Sequence, residues 1–286
     1  ATRLLRFLQA ERPGALVCTQ AFPCGMFADA KARGDIAVPL IAVVTDYAVH
    51  AYWVYDQVDL YVVPSEEARA QLLSCGVPAS KVLVLGIPIS PRFRDKEDPT
   101  RIKPEYGLST ELPLVLLMGG GHGLGPIEKI VDELDRLDTP FEIVAVTGTN
   151  ANLKRALDKK QKYLRKTLHA YGYLSDVAPL MSVADVLVSK PGGLTISEAM
   201  ASTLPMVLID PLPGQEARNT EFLLRENVSV LAEDAGGVAR QVKAWLLDGR
   251  LLEGMRERIG QLRRPDSAAL ISEEIWKRAG AASLAV

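Results

Sequence analysis

The chain has 286 residues, 48% hydrophobic and 24% charged, with a net charge of -2. That length suggests two domains of ~100–200 residues with ample material for buried cores, and the near-neutral balance argues against a general nucleic-acid binder, which is strongly basic. No apolar run reaches the ~18–20 residues of a membrane span, the start is not a signal peptide, and three cysteines at unpatterned positions (Cys18, Cys24, Cys75) read as reduced thiols in a cytoplasmic protein.

The chain begins at Ala1 inside an expected helix, Thr2 to Ala10, which leads us to expect a missing N-terminal segment. Short, continuous, β-branched runs then alternate with helical stretches. Leu16–Thr19, Leu40–Thr45, Leu60–Pro64 and Val82–Leu85 form a first series; Leu114–Met118, Phe141–Val146, His169–Tyr173, Val186–Ser189 and Met206–Ile209 form a second. This pattern predicts parallel sheets covered on both faces. Gly86-Ile87-Pro88-Ile89-Ser90-Pro91 and the charged stretch after it punctuate the two series, placing a hinge near residues 88–108. Helical patterns follow over Val238–Leu252 and Leu262–Ala279, interrupted at Pro265 and Asp266. The expected organisation is an N-terminal domain in residues 1–92, a C-terminal domain in 93–264, and a helix in 265–286 crossing back to the first. Ligands of doubly wound domains sit beyond the C-terminal ends of the strands, where two facing domains would form a cleft.

Three strand-to-helix junctions carry chemistry. The first is Met118-Gly119-Gly120-Gly121-His122-Gly123-Leu124-Gly125-Pro126, a glycine-rich turn opening a helix. Free backbone N–H groups and the positive helix end suit an anion there, and glycines permit close approach; a tight structural turn explains the same residues. The second is Ser189-Lys190-Pro191-Gly192-Gly193-Leu194-Thr195-Ile196-Ser197-Glu198. Thr195 and Glu198 have capping-box spacing, with Glu198 turning back on the cap N–H. Alternatively, Glu198 occupies an exposed first turn and accepts both hydroxyls of a ribose. The third is Asp210-Pro211-Leu212-Pro213-Gly214-Gln215-Glu216-Ala217-Arg218-Asn219. Gln215, Glu216 and Asn219 suit sugar hydroxyls, or form an ordinary solvated first turn.

In this order and spacing the three segments resemble the donor-binding domain of diacylglycerol glycosyltransferases, the monogalactosyldiacylglycerol synthases and processive diacylglycerol glucosyltransferases. These are relatives of the N-acetylglucosaminyltransferase of peptidoglycan precursor synthesis. Val44-Thr45-Asp46-Tyr47-Ala48-Val49-His50, Trp53, Val58-Asp59, Pro64-Ser65-Glu66-Glu67 and Gly86-Ile87-Pro88-Ile89-Ser90-Pro91-Arg92-Phe93 extend the resemblance over about Pro13 to Val230. It implies the α/β GT-B architecture of two doubly wound parallel-sheet domains facing across a cleft, the first truncated here. It implies an inverting, metal-independent transfer of a hexose from UDP-glucose or UDP-galactose to diacylglycerol or a glycosyl-diacylglycerol, without a further cofactor.

By the same resemblance, Gly119, Gly120, Gly121, Gly123 and Gly125 face the diphosphate, with Gly192, Gly193 and Thr195 at the next helix start. Glu198 faces the ribose, main chain near Tyr173 and Leu174 reads uracil, Gln215 and Glu216 hold the sugar, and Asn219 supports that loop. His122 is expected to be a solvated loop residue. The three histidines lack metal-ligand spacing and there is no Asp-x-Asp triplet, so no metal site is expected.

The acceptor hydroxyl needs a general base. Relatives carry a glycine-rich turn ending in histidine near the start of their N-terminal domain; residues 1–40 have none. Asp46 and His50 are the remaining candidates, although a loop cap for Asp46 and packing beneath a loop for His50 are the plainer fates. The expectation is a fragment that binds UDP but transfers no sugar until upstream residues are restored. Transfer of N-acetylglucosamine to a lipid-linked peptidoglycan precursor, and a donor-binding module without turnover, stay open as alternatives. A peripheral location at the inner face of the cell membrane follows from the lipid acceptor. The basic stretch Lys154, Arg155, Lys159, Lys160, Lys162, Arg165, Lys166 is either a solvated helix face or an anionic-headgroup patch.

Overall fold

The computed structural model describes residues 2–283. They fall into two compact units, Ala1–Ile89 with Asp266–Val286, and Ser90–Pro265. The first unit opens with α1 (Thr2–Glu11), β1 (Leu16–Cys18), α2 (Ala21–Ala32), β2 (Leu40–Val43), a 3-10 turn at Ala51–Trp53, β3 (Leu60–Val63), α3 (Glu66–Ser74) and β4 (Val82–Val84). Its four strands are all parallel, in the order β1-β2-β3-β4.

The second unit contains α4 (Pro99–Glu105), β5 (Leu114–Met118), α5 (Ile127–Asp135), β6 (Glu142–Val146), α6 (Ala151–Lys160), β7 (Leu168–Tyr171) and α7 (Ala178–Val183). It continues with β8 (Val186–Ser189), α8 (Gly193–Ala201), β9 (Met206–Ile209), α9 (Gln215–Arg225), β10 (Ser229–Ala232), α10 (Ala235–Leu247) and α11 (Gly249–Leu262). Six parallel strands run in the order β10-β9-β8-β5-β6-β7. Every residue of β5, β6, β8 and β9 is buried, as helices packed over a parallel sheet require. At the sheet's N-terminal edge polar side chains secure the chain. Asp185 accepts the Leu114 N–H at 2.9 Å, and Glu142 accepts the Ser109 N–H at 2.7 Å.

The sequence pattern predicts nine of these ten strands. It misses β10, an edge strand whose Leu231 is exposed, so that no continuous apolar run marks it. The expected helix over 238–252 is divided at Asp248, whose carboxylate accepts the Arg250 N–H at 3.1 Å and caps α11.

The chain ends its described course in α12 (Ser267–Ser283), which belongs to the first unit. Period-two alternation divides that unit's core. Leu40, Ala42, Tyr61 and Val63 pack with Cys24, Ala28, Ala68 and Leu72 from α2 and α3. Ile41, Val43, Leu60 and Val62 point to the other face and meet Ile271 and Ile275 of α12. The Ser267 hydroxyl, itself buried, donates to the Ile87 carbonyl at 2.6 Å and fixes the start of α12.

Among the described residues Tyr61 is the largest fully buried side chain. Its hydroxyl both accepts the Tyr55 N–H and donates to the Tyr55 carbonyl, each at 2.9 Å, while burial pushes its pKa up to about 12. Tyr61→Phe leaves the part-buried Tyr55 N–H without a partner, while the Tyr55 carbonyl keeps the Val58 N–H at 3.2 Å, so denaturant unfolding should show a loss of about 1–3 kcal/mol. A change below 0.5 kcal/mol would mean that water replaces the hydroxyl.

Candidate functional site

In the six-stranded sheet the chain passes from β5 towards β6 on one side, and from β8 towards β9 on the other. β5 and β8 are neighbours, paired from Val115↔Val186 to Met118↔Ser189. Two loops leaving adjacent strand ends in opposite directions open a crevice there, the usual ligand position of a doubly wound sheet. The first two glycine-rich segments are those loops.

The loop from Gly119 to Pro126 is pinned by its own backbone and by the turn after β6. Leu124 N–H donates to the Gly119 carbonyl at 2.8 Å, Thr149 N–H to Gly121 at 2.9 Å, and the Asn150 side-chain amide to Gly123 at 3.1 Å. A Cβ on Gly119 would overlap the Leu124 carbonyl, and one on Gly123, at φ +58°, the Thr147 carbonyl. Those two glycines are therefore needed by the protein's own packing. Gly121 faces open space, while Gly120 and Gly125 turn the chain at φ +67° and +102°. His122 is exposed, with Nδ1 3.4 Å from the Thr149 hydroxyl. Asn150, which caps α6 and braces this loop, lies outside the motifs read from the sequence; an Asn after a strand and before a helical run was its only signal.

The second junction departs from the capping-box expectation. The N-cap of α8 is Gly192, without any side-chain bond, so Thr195 lies inside the first turn and Glu198 in the second. The physical reason is the Pro191-Gly192 turn, which starts the helix before Thr195 can act as its cap. The N–H groups of Gly193, Leu194 and Thr195 are consequently left for a ligand or water. Glu198 is partly buried, and among the described residues its carboxylate has no hydrogen-bond or ion-pair partner. Burial alone pushes its pKa up to about 7.

The third segment adjoins the second, since β8 and β9 are paired. Gly214 caps α9 at φ +103°, a conformation suited to glycine. Gln215 is exposed. Glu216 is partly committed, because its Oε2 accepts the Leu212 N–H at 2.8 Å. Asn219 is fully buried and donates to the Pro191 carbonyl at 3.1 Å, tying α9 to the second junction. Lys190, absent from the sequence-derived site, is buried between Asp210 and Glu216 at 3.4 and 3.7 Å. A cavity of about 340 Å³ lies beside these loops, lined by Gly125, Pro126, Ile130, Ile209, Asp210 and Asp234 among others.

Other candidates belong to other elements. Tyr173 and Leu174 follow β7, and Tyr173 is exposed. Asp46 and His50 belong to the first unit. His50 Nδ1 accepts the Tyr52 N–H at 3.2 Å and caps the 3-10 turn, with the two rings 4.7 Å apart. Trp53 is only 3% exposed and packs in the core.

In the basic stretch Lys154 pairs with Asp158, Lys160 with Asp132, and Arg165 with Asp138. Lys166 bonds the Leu137 and Thr139 carbonyls. This pairing favours the solvated-face reading. Among the described residues no helix is long and apolar enough to cross a membrane, and no group of three or more His, Cys, Asp or Glu gathers to hold a metal.

Two substitutions in the glycine loop should separate packing from ligand access. Gly123→Ala should cost at least about 2 kcal/mol in denaturant unfolding, from left-handed strain and the Thr147 overlap. Gly121→Ala should stay within about 0.5 kcal/mol of the wild type. Equal losses would contradict the division.

Glu198 generates a pH prediction. Its folded pKa lies above the ordinary value of 4.5, so the folded state holds the proton more tightly than the unfolded chain. The penalty for ionising it is absent below pH 4.5, grows between there and 7, and is complete above about 7. Glu198→Gln should therefore stabilise the protein at pH 8 by up to about 3 kcal/mol, and change little at pH 4.5. A constant difference across that range would refute the assignment.

Comparison with known proteins bears on the family and the fold. Residues 1–89 match the family model of monogalactosyldiacylglycerol (MGDG) synthase, and residues 114–244 match the glycosyltransferase family 28 C-terminal domain. The processive diacylglycerol beta-glucosyltransferase of Bacillus thuringiensis is 32% identical over 275 residues, covering 96% of this chain and 70% of that protein. Among solved structures, Acinetobacter baumannii MurG superposes with a TM-score of 0.67 at 17% identity, over 96% of this chain and 76% of its own. The co-structure of S. aureus MnaA with UDP gives 0.71 at 18%, over 96% and 78%. The chain belongs to the diacylglycerol glycosyltransferase family and has the two parallel-sheet α/β domains of GT-B glycosyltransferases.

Proposed function

We propose that this protein transfers a hexose from a UDP-sugar to the hydroxyl of diacylglycerol or a glycosyl-diacylglycerol, with inversion and without a metal ion, peripherally at the inner face of the membrane. One observation carries the reading: two glycine-rich junctions flank the switch point of the six-stranded sheet, and the otherwise unpartnered carboxyl of Glu198 stands on the helix of the second. In this reading the loop around Gly120, Gly121 and Gly125 and the open start of α8 receive the diphosphate. Backbone N–H groups and helix dipoles then stabilise the charge that develops as the glycosidic bond breaks.

Glu198 accepts the two ribose hydroxyls, which supply the partners that its carboxylate lacks. Main chain near Tyr173 and Leu174 meets uracil, and Gln215 with the free oxygen of Glu216 meets the hexose. The acceptor oxygen attacks the anomeric carbon from the face opposite the departing UDP, and its proton passes to a base. Asp46 is our first candidate. His50 accepts a backbone N–H at Nδ1, which leaves the ring proton on Nε2, so acting as a base at Nε2 would require the other tautomer. The relatives are named beta-glucosyltransferases. A β product from an α-linked UDP-glucose is an inversion, which supports both the stereochemistry and glucose as donor.

The test combines binding and turnover. Titration calorimetry at pH 8 should detect UDP, with at least tenfold weaker binding in Glu198→Gln; no binding by the wild type would overturn the reading. Radiolabelled UDP-glucose with dioleoylglycerol micelles and EDTA then tests turnover, and a β-glucosyl lipid from these 286 residues would support the transfer and overturn the expectation of binding without it. Product only on a lipid-linked peptidoglycan precursor would reassign the acceptor, and binding without product on any acceptor would indicate a donor-binding module.

A further inference from the structure

Lys190 is the one buried cation at the C-terminal edge of the six-stranded sheet among the described residues. Its side chain is only 7% exposed, and its Nζ lies 3.4 Å from Asp210 Oδ2 and 3.7 Å from Glu216 Oε2. Withdrawing an ammonium from water is costly unless carboxylates surround it, so this position is held only while both acids face it. The acids sit at the two ends of one loop. Asp210 directly follows β9, in a left-handed conformation at φ +43°, and Glu216 lies in the first turn of α9. Glu216 Oε2 also accepts the Leu212 N–H at 2.8 Å, so the cation and the loop backbone share one carboxylate oxygen. A second tie, from the Asn219 amide to the Pro191 carbonyl, joins the same two junctions farther along α9.

These contacts form a latch. Lys190 extends from the turn that begins α8, the helix of Glu198, and grips the loop that presents Gln215 and Glu216. The ribose-facing and hexose-facing groups of the functional reading are therefore registered to each other through one ammonium.

We propose that Lys190 is a positioning residue that governs recognition of the sugar half of the donor and leaves the nucleotide half unaffected. This rests on the reading that the 210–216 loop meets the hexose. With the ammonium removed, Asp210 and Glu216 repel each other and Asp210, already largely exposed, swings into water. The loop then loses the orientation of Gln215, while the glycine loop after β5 and the open start of α8 keep theirs.

The experiment is calorimetric titration of the wild type, Lys190→Met, Lys190→Arg and Asp210→Asn with UDP and with UDP-glucose or UDP-galactose. Lys190→Met should bind UDP within twofold of the wild type and the UDP-hexose at least tenfold more weakly. Lys190→Arg should recover part of that loss, because it restores the charge between the same carboxylates. Asp210→Asn, at an exposed side chain, should show a smaller selective loss, and it decides the matter if Lys190→Met does not fold. Equal weakening of UDP and UDP-hexose in both variants would place Lys190 at the diphosphate and overturn the proposal, as would no change in either. A wild type that binds neither would instead remove the functional reading beneath it.

Discussion

A parallel βα repeat can deliver its helix N-termini to only one edge of the sheet, and the second unit depends on that constraint. Each strand of β5, β8 and β9 runs directly into a loop and then a helix, so unpaired N–H groups accumulate beyond Met118, Ser189 and Ile209. Where the strand order reverses between β5 and β8, two such ends lie side by side. An electropositive, main-chain-lined crevice follows from topology alone, before any side chain is chosen. The side chains then divide the work. At the opposite edge Asp185 and Glu142 are spent on backbone N–H groups, whereas at this edge Glu198 is left unspent.

An unspent carboxyl carries a cost, and the proposed function accounts for that cost by giving the carboxyl a partner in the ligand. Burial without a partner lifts Glu198 to a pKa of about 7, a condition that a purely structural acid would relieve with a neighbouring donor. Asp98 shows the ordinary alternative, in which the Thr100 hydroxyl and N–H hold a carboxyl below its usual range while it caps α4. The contrast rests on whether the acid's partner is already present in the chain.

Much of this arrangement is legible in the sequence. Continuous apolar runs mark nine strands because buried parallel strands need apolar residues on both faces, and the glycine junctions stand out because they follow those runs directly. What escapes is whatever depends on distant partners. The short edge strand Ser229–Ala232 has an exposed Leu231 and so lacks the apolar signature. Thr195 and Glu198 have capping spacing, yet Pro191 and Gly192 start the helix earlier and take the cap role away. Lys190 reads as a polar residue ending a strand; only the fold brings Asp210 and Glu216 to it. The basic stretch looks like a patch until Asp132 and Asp138, remote in sequence, appear beside it.

The division of the first unit by the chain has a consequence for its birth on the ribosome. One side of its sheet, Ile41, Val43, Leu60 and Val62, is closed by Ile271 and Ile275. Residues 90–265 are made in between. At ~5–20 residues per second this sheet waits roughly ten seconds or longer with an oily surface uncovered. The six-stranded unit, contiguous in the chain, can finish folding during that interval, so the half of the molecule translated first is the last to be completed.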